Sequence, residues 1–243
     1  VWEAVTPVTV GLIAAIEEEA DCIQTGHYSV GAVVHLADSV YLTVNGMGER
    51  LASAAAQSLI DSGVRGLVSI GTAAGLSSDL KAGSVCVPAE IVLCDGATID
   101  LRHEWRDRVL ARLSDEVVVL SERYAETETI LSSPAQKRTF ADHTLASATD
   151  MESGAIARSA VAAGLPVIVC RVVVDDFEST LPSAVLNATD KQGCIDVVKL
   201  SFSLMRQPRQ FGAFIKLGWS FRKARAGLRT IAKTLLPDFA FED

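Results

Sequence analysis

No stretch of this sequence approaches the roughly 18 consecutive apolar residues of a membrane-spanning helix. Its start, Val1-Trp2-Glu3, is not a basic segment followed by an apolar core. A spanning or secreted protein is therefore not expected. The five cysteines, Cys22, Cys86, Cys94, Cys170 and Cys194, include no close pair. Three of them fall in apolar strand-like runs, which argues for reduced core thiols and a cytoplasmic setting rather than a disulfide framework. His27, His35, His103 and His143 have no metal-ligand spacing, so no metal is expected and each reads as a surface or satisfied interior residue. The dinucleotide fingerprint GxGxxG and the phosphate loop GxxxxGK followed by Ser or Thr are both missing, and no cofactor is expected. There is also no Pro/Gly/Ser-rich linker and no apparent internal repeat, so the 243 residues are expected to form one large domain rather than two small ones.

What is present is ample apolar material. Hydrophobic residues make up 49% and charged residues 21% of the chain, enough for a sizeable core and far from the composition of disorder. The net charge of −8 conceals an asymmetry. Lys199, Arg206, Arg209, Lys216, Arg222, Lys223, Arg225, Arg229 and Lys233 lie in a stretch, Val197 to Pro237, that contains no Asp or Glu. An acidic body with a basic tail implies a negatively charged partner for the tail. The absence of a recognised binding module and the acidic body argue against nucleic acid.

Strand-like and helix-like patterns alternate along the chain, which predicts an α/β protein with a largely parallel central sheet. Val8 to Ala14 reads as a buried strand, and Glu17-Glu18-Glu19 opens a short helix whose positive end favours acids. Tyr28 to Leu36 and Val40 to Asn45 read as a hairpin or meander, and Gly46-Met47-Gly48 leads into an Ala-rich helix from Arg50 to Asp61. Gly66 to Ile70 is a short apolar run. The following Gly71-Thr72-Ala73-Ala74-Gly75-Leu76 reads as a small-residue turn that lets backbone amides approach a ligand. A strand is expected at Ser84 to Leu93, a polar helix at Arg102 to Leu113, a short strand at Val117 to Leu120, and a capped helix start at Ser132-Ser133-Pro134-Ala135.

In Thr149 to Asp176, Asp150-Met151-Glu152 precedes an alanine-rich helix, Gly164-Leu165-Pro166 turns the chain, and a β-branched run ends in Asp175-Asp176. Carboxylates are thus expected at both ends of one helix-strand unit. Helical sequence follows from Leu181-Pro182-Ser183 to about Met205, with a break at Gln207-Pro208-Arg209 and a last helix from Gln210 to Leu236. On a helical wheel Phe214, Leu217, Phe221, Ala224, Leu228, Ile231 and Leu235 share one face of that last helix, with basic residues beside or opposite. Such a helix either lies at a membrane interface or packs its apolar face on the body or on a partner subunit.

These residues resemble the purine nucleoside phosphorylase and methylthioadenosine/adenosylhomocysteine nucleosidase superfamily. The resemblance rests on Gly11 through Glu19, Asn45-Gly46-Met47-Gly48, Gly71 through Leu76, Met151-Glu152 with Gly154-Ala155-Ile156-Ala157, and Arg171 through Asp175, in the family's order. It covers residues 8 to about 178; the region around Ser132 looks shortened and the tail after about Met205 is extra. The chain length, Leu181-Pro182 and the basic tail look most like the hopanoid-associated phosphorylases, a subgroup that acts on adenosylhopane, a membrane lipid precursor. The resemblance implies a three-layer fold with a twisted, mixed, largely parallel sheet between helices. It implies a catalytic domain over residues 1–206, with residues 207–243 as a basic amphipathic extension, part of that domain or membrane-facing. The partners it implies are an adenine nucleoside, lipid-linked at its 5′ end, water or phosphate as nucleophile, a second copy of the chain in a homo-oligomer, and peripheral contact with the inner face of a membrane.

Carried over by position, Met151 and Glu152 lie under the ribose, Glu152 accepting hydrogen bonds from the 2′- and 3′-hydroxyls. Asp175 is the purine-side acid. Adenine leaves poorly unless N7 is protonated while the sugar becomes oxocarbenium-like, so one carboxyl must donate and others must stay charged. Burial at a strand end could raise the pKa of that acid; Asp176 is its rival for the role. Glu19 matches the carboxylate that activates water. Thr72 and Arg171 orient the nucleophile, and Ala73, Gly75 and Ser132 join the substrate-binding set. Phosphorylases of the superfamily generally carry an arginine three residues before the Thr72 position, where this chain has Ser69. An acidic Glu19 repels a phosphate dianion but suits a neutral water, so hydrolysis is expected over phosphorolysis. Two non-enzyme readings compete, a nucleoside-binding module without catalysis and a membrane-peripheral scaffold.

Overall fold

A computed structural model describes residues 9–37, 39–114, 119–120, 122–188 and 211–236. In chain order it runs β1 (Val10–Ala14), α1 (Glu17–Ile23), β2 (Val33–Ala37), β3 (Val40–Val44), α2 (Glu49–Asp61), β4 (Gly66–Gly75), β5 (Val85–Cys86), β6 (Glu90–Val92) and β7 (Thr98–Asp100). There follow α3 (Glu104–Ser114), β8 (Val119–Leu120), β9 (Arg123–Glu126), α4 (Pro134–Thr144), β10 (Ala148–Asp150), α5 (Ser153–Ala162), β11 (Val167–Asp175), α6 (Ser183–Ala188) and α7 (Phe211–Leu235).

All these strands belong to one mixed sheet, in the order β2-β3-β1-β4-β10-β9-β6-β7, from which β11, β5 and β8 branch at β4. The long strands β1, β4 and β11 are β-branched or leucine-rich and buried on both faces, as parallel strands between helices must be. Their side chains alternate between two cores. Val68, Ile70, Ile168, Cys170 and Val172 face one core, which is closed by Trp105 of α3 and Ala224, Leu228 and Ile231 of α7. Leu67, Ala73, Val169 and Val173 face the other, closed by Ala52, Ala56 and Leu59 of α2 and by the alanines of α5. Helices therefore cover both faces, and the α/β class with a three-layer arrangement holds. Gly11 is required under α2, because a Cβ there would stand 2.8 Å from Leu59 Cδ1.

Several elements differ from the expectation. Gly71 to Gly75 is not a turn but the second half of β4, because β11 pairs with it from Leu67 to Ala74. Ser84 to Leu93 holds two strands, β5 and β6, and the interruption contains Pro88, which cannot donate to a ladder. The hairpin strand β2 starts at Val33 rather than Tyr28, and β9 has no counterpart in the sequence reading. Of the expected helix from Ser183 to about Met205, α6 ends at Ala188; the remainder and the break at Pro208 lie outside the described residues. The second half of the apolar face of α7 packs on the body, with Ala224, Leu228, Ile231 and Leu235 buried, whereas Phe214, Leu217 and Phe221 of the same face are half-buried. Among the described residues no helix is long and apolar enough to cross a membrane.

Candidate active site

The site forms where β4 changes neighbours. Strand β1 pairs with β4 only as far as Ser69, and β10 pairs with it only at Ala74 and Gly75. Between them, Ile70 to Ala73 are paired to β11 alone, and the edge they leave open borders a cavity of about 220 Å³. Residues from α1, β4, β10 and β11, with Ala15 and Ile16 just after β1, converge on it because these strands deliver their ends to the same edge.

Glu19, in the first turn of α1, is only 3% exposed. Its Oε1 accepts from the Thr72 amide at 2.7 Å and from Thr72 Oγ1 at 2.8 Å. Its Oε2 accepts from the amides of Ala15 at 3.1 Å and Ile16 at 3.4 Å. Four donors on one carboxylate offset its loss of water. Gly71 lies against this group, since a Cβ there would stand 2.6 Å from Arg171 Nη1 and 2.7 Å from Glu19 Oε2. Any side chain would therefore wedge the guanidinium and the carboxylate apart.

Arg171 is buried on the same face of β11 as Val169 and Val173. Its Nε is 2.7 Å from Asp150 Oδ2, its Nη2 donates to Ser69 Oγ at 2.7 Å, and its Nη1 is 3.7 Å from Glu152 Oε2. Burial opposes its charge, but Asp150 and Glu152 hold it protonated, above its ordinary pKa. Asp150 also accepts from the Ser153 amide at 3.0 Å, so it serves the first turn of α5 in place of the N-cap residue. That N-cap is Glu152, which makes no side-chain cap. Its Oε1 accepts instead from the Gly48 amide at 2.9 Å, and its carboxylate borders the cavity. Burial pushes Glu152 up to about 7, with Arg171 opposing and Asp150 reinforcing the rise.

At the far end of β11 a bulge sets both Val174 and Asp175 against one step of β4, from Ala73 to Ala74. Bulges re-aim side chains, and Asp175 borders the cavity. Burial raises its pKa, while Lys137 pulls it back down. Lys137 Nζ lies 2.7 Å from Asp175 Oδ2, with both side chains buried. Beyond that contact, neither Asp175 oxygen has a hydrogen-bond partner among the described residues. Asp176 is placed differently, because its Oδ1 accepts from the Ala82 amide at 2.7 Å and it does not border the cavity.

Of the residues singled out in the sequence, Glu19, Thr72, Ala73, Met151, Glu152, Arg171 and Asp175 all border the cavity. Gly75 and Ser132 do not. Gly75 sits in the ladder beside Val173, 3.3 Å from where its Cβ would be. The Ser132 hydroxyl is committed to Gln136 Oε1 at 3.1 Å, in the network that caps α4, and its neighbour Leu131 supplies the wall. Ser69 lies beneath the cavity, fully buried and bonded to Arg171 and to Ser153 Oγ. Sequence reasoning missed Lys137 and the structural role of Asp150. Lys137 gave no signal, since Gln136-Lys137-Arg138 reads as a solvated polar run; Asp150 three residues before Ser153 was legible as a helix-start pattern. Leu217 of α7 also borders the cavity, placing the tail helix at the site wall.

Comparison with known proteins bears on the family and the fold. A profile of the family described as Phosphorylase superfamily matches residues 5–195. No protein with a curated description matches the sequence. Among solved structures, the S-adenosylhomocysteine nucleosidase of Streptococcus pyogenes, in complex with 5-methylthiotubericidin, superposes with a TM-score of 0.72 at 17% identity over 98% of this chain and 100% of that one. A mutant of the Helicobacter pylori MTAN with 5′-methylthioadenosine in its active site gives 0.66 at 16% identity, over 94% of this chain and 99% of that one. The futalosine hydrolase of Helicobacter pylori gives 0.65 at 16% identity, over 96% and 100%. At these identities the likeness is one of fold.

Proposed function

The chain belongs to the Phosphorylase superfamily, and from that premise we propose that it hydrolyses the N-glycosidic bond of an adenine nucleoside and releases adenine. Asp175 donates a proton to N7 of the purine, the C1′–N9 bond breaks with its electrons going to the base, and the sugar carries the developing positive charge. Met151 and Glu152 lie beneath the ribose, Glu152 as ionised acceptor of its hydroxyls. Water attacks C1′ and passes its proton to Glu19, with Thr72 and Arg171 holding the nucleophile.

The observation that carries hydrolysis over phosphorolysis is the saturation of Glu19. The amides of Ala15, Ile16 and Thr72 and the Thr72 hydroxyl are the donors a phosphate would need, and a protein carboxylate already holds them. A dianion set beside that carboxylate meets repulsion of about 4 kcal/mol per pair of unit charges at 4 Å, for an effective dielectric constant near 20. A neutral water meets none, and rotation of the Thr72 hydroxyl opens a place for it.

The finer part of the proposal concerns the 5′ substituent, for which we infer a large apolar group of the hopane type. Ile16, Met47, Leu131, Leu181 and Leu217 give the cavity an apolar wall. A second cavity of about 120 Å³ lies beside it along α7 and shares Val174, Asp175, Leu181 and Leu217 with it, with Glu178 and Lys216 at its polar side. Beyond it the first half of α7 exposes Ile215 and Trp219, the latter with Arg222 over its ring at 5.6 Å. An exposed aromatic among basic residues suits the surface of an anionic bilayer, which would bring the protein to a lipid-linked nucleoside.

The test is incubation with adenosine, methylthioadenosine and adenosylhopane, each with and without phosphate, with products identified by mass. Adenine and a free ribose-type product, formed without phosphate and fastest from adenosylhopane, are expected. Strict dependence on phosphate overturns the hydrolytic reading. Asp175→Asn is expected to lose at least about 100-fold in turnover while still binding the nucleoside; an active Asp175→Asn protein overturns the assignment of the acid.

A further inference from the structure

Lys137 is a fully buried charged side chain that the mechanism above leaves unused. It is the one buried residue of α4 and has no exposed surface. A lysine is not buried in this way without partners that offset its desolvation. Its Nζ stands 2.7 Å from Asp175 Oδ2 and donates to the carbonyl oxygens of Asp176 and, at 3.3 Å, Ser179. The three donors of one ammonium thus go to the end of β11 and the loop that follows. The same loop is held by Arg138, 3.3 Å from Glu178, by Lys216, which donates to Ser179 Oγ at 3.0 Å, and by the Ser132 carbonyl, which accepts from the Leu181 amide.

Resting on the reading of Asp175 as the purine-side acid, we propose that Lys137 is a positioning residue that fixes the Asp175 carboxyl toward the base and sets its acid strength. Asp175 ends β11, where no β-ladder partner follows, and its oxygens have no other hydrogen-bond partner among the described residues. Without Lys137 nothing described would hold its rotamer. The charge acts on the same atom as the geometry. When Asp175 gives its proton to N7, a buried carboxylate is left, and the ammonium beside it is the counter-charge that makes the transfer favourable. The proton leaves Asp175 and returns to it from water after adenine departs; burial lowers the pKa of Lys137, and the charges of Asp175 and Asp176 beside it oppose that fall.

Among the described residues, few charged groups face Asp175. Lys137 comes from α4, Lys216 from α7, and Asp176 follows in the chain with its carboxylate turned to the Ala82 amide. Lys216 is exposed and bonded to Ser179, so its influence is screened by solvent. Lys137 is the partner in contact.

The experiment is the pH profile of adenine release by the full-length wild type, Lys137→Gln, Lys137→Met and Lys137→Arg, with thermal unfolding and nucleoside affinity measured for each. Gln keeps a donor for the two carbonyls and removes the charge; Met removes both; Arg restores the charge. Loss of the ammonium raises the pKa of Asp175, so the acid form persists to higher pH. The alkaline limb of kcat/KM is expected to move up by about one pH unit in Gln and Met, with kcat down about 10- to 100-fold and nucleoside affinity near wild type. Arg is expected to keep the wild-type limb. An alkaline limb unmoved in a folded neutral variant, or moved equally in Arg, overturns the role of Lys137. A wild type that releases no adenine overturns the functional reading itself and is a different result.

Discussion

Burial acts on two carboxyls of the site, Glu152 and Asp175, and a different cation opposes it at each. Burial pushes Glu152 up to about 7 despite Arg171 beside it. Asp175 is also raised by burial and restrained by Lys137. In the proposed hydrolysis Glu152 accepts from the ribose hydroxyls as the carboxylate, so it would be competent above its pKa and lost as pH falls through it. The proposed acid, Asp175, would work protonated and be lost as pH rises. A profile of kcat/KM, which reports groups of the free enzyme, is therefore expected to fall about tenfold per pH unit on the acid side of 7. Glu152→Gln is expected to flatten that acid limb while raising KM; an acid limb that survives the substitution at the same pH assigns it to another group.

Among the elements, α7 departs most from its sequence impression. Its basic composition and apolar stripe read equally well as a membrane-surface helix or a packed one, and the second half proves to be core. Leu228 and Ile231 are 1% and 0% exposed against β11 and α1, and Gly227 is small because a Cβ there would meet Val172 Cγ1 at 2.8 Å. Leu228→Ala is expected to cost about 2–5 kcal/mol of stability, read by chemical denaturation, because it empties a fully packed site. The exposed first half is a separate matter. Replacing Trp219 with Glu is expected to leave stability within about 0.5 kcal/mol of wild type and to weaken co-sedimentation with anionic vesicles; unchanged vesicle binding would remove Trp219 from any bilayer contact.

At the scale of the whole molecule, one strand organises everything else. β4 carries β1 on one side of its first half, β10 at its end and β11 along the other side, and the gap between β1 and β10 is where the cavity lies. The site is thus a consequence of sheet topology rather than of a loop laid over a finished scaffold. α7 closes both the core under β11 and the cavity wall through Leu217, which ties the basic tail to the catalytic body.

The sequence by itself determined the alternating class, the buried strands, the helix starts at Glu17 and Pro134, and seven residues that border the cavity. These are local matters: a β-branched run, a capping pattern or a short motif declares what one element buries or presents. The tertiary structure decided what depends on partners distant in the chain. It turned Lys137 inward and Arg138 outward, gave the cavity to Asp175 and the Ala82 amide to Asp176, and extended β4 through Gly75. It also saturated Glu19 with donors from two separate stretches of chain. Each of these choices is a meeting of groups whose separation in sequence says nothing about their separation in space, and burial without water makes each meeting consequential.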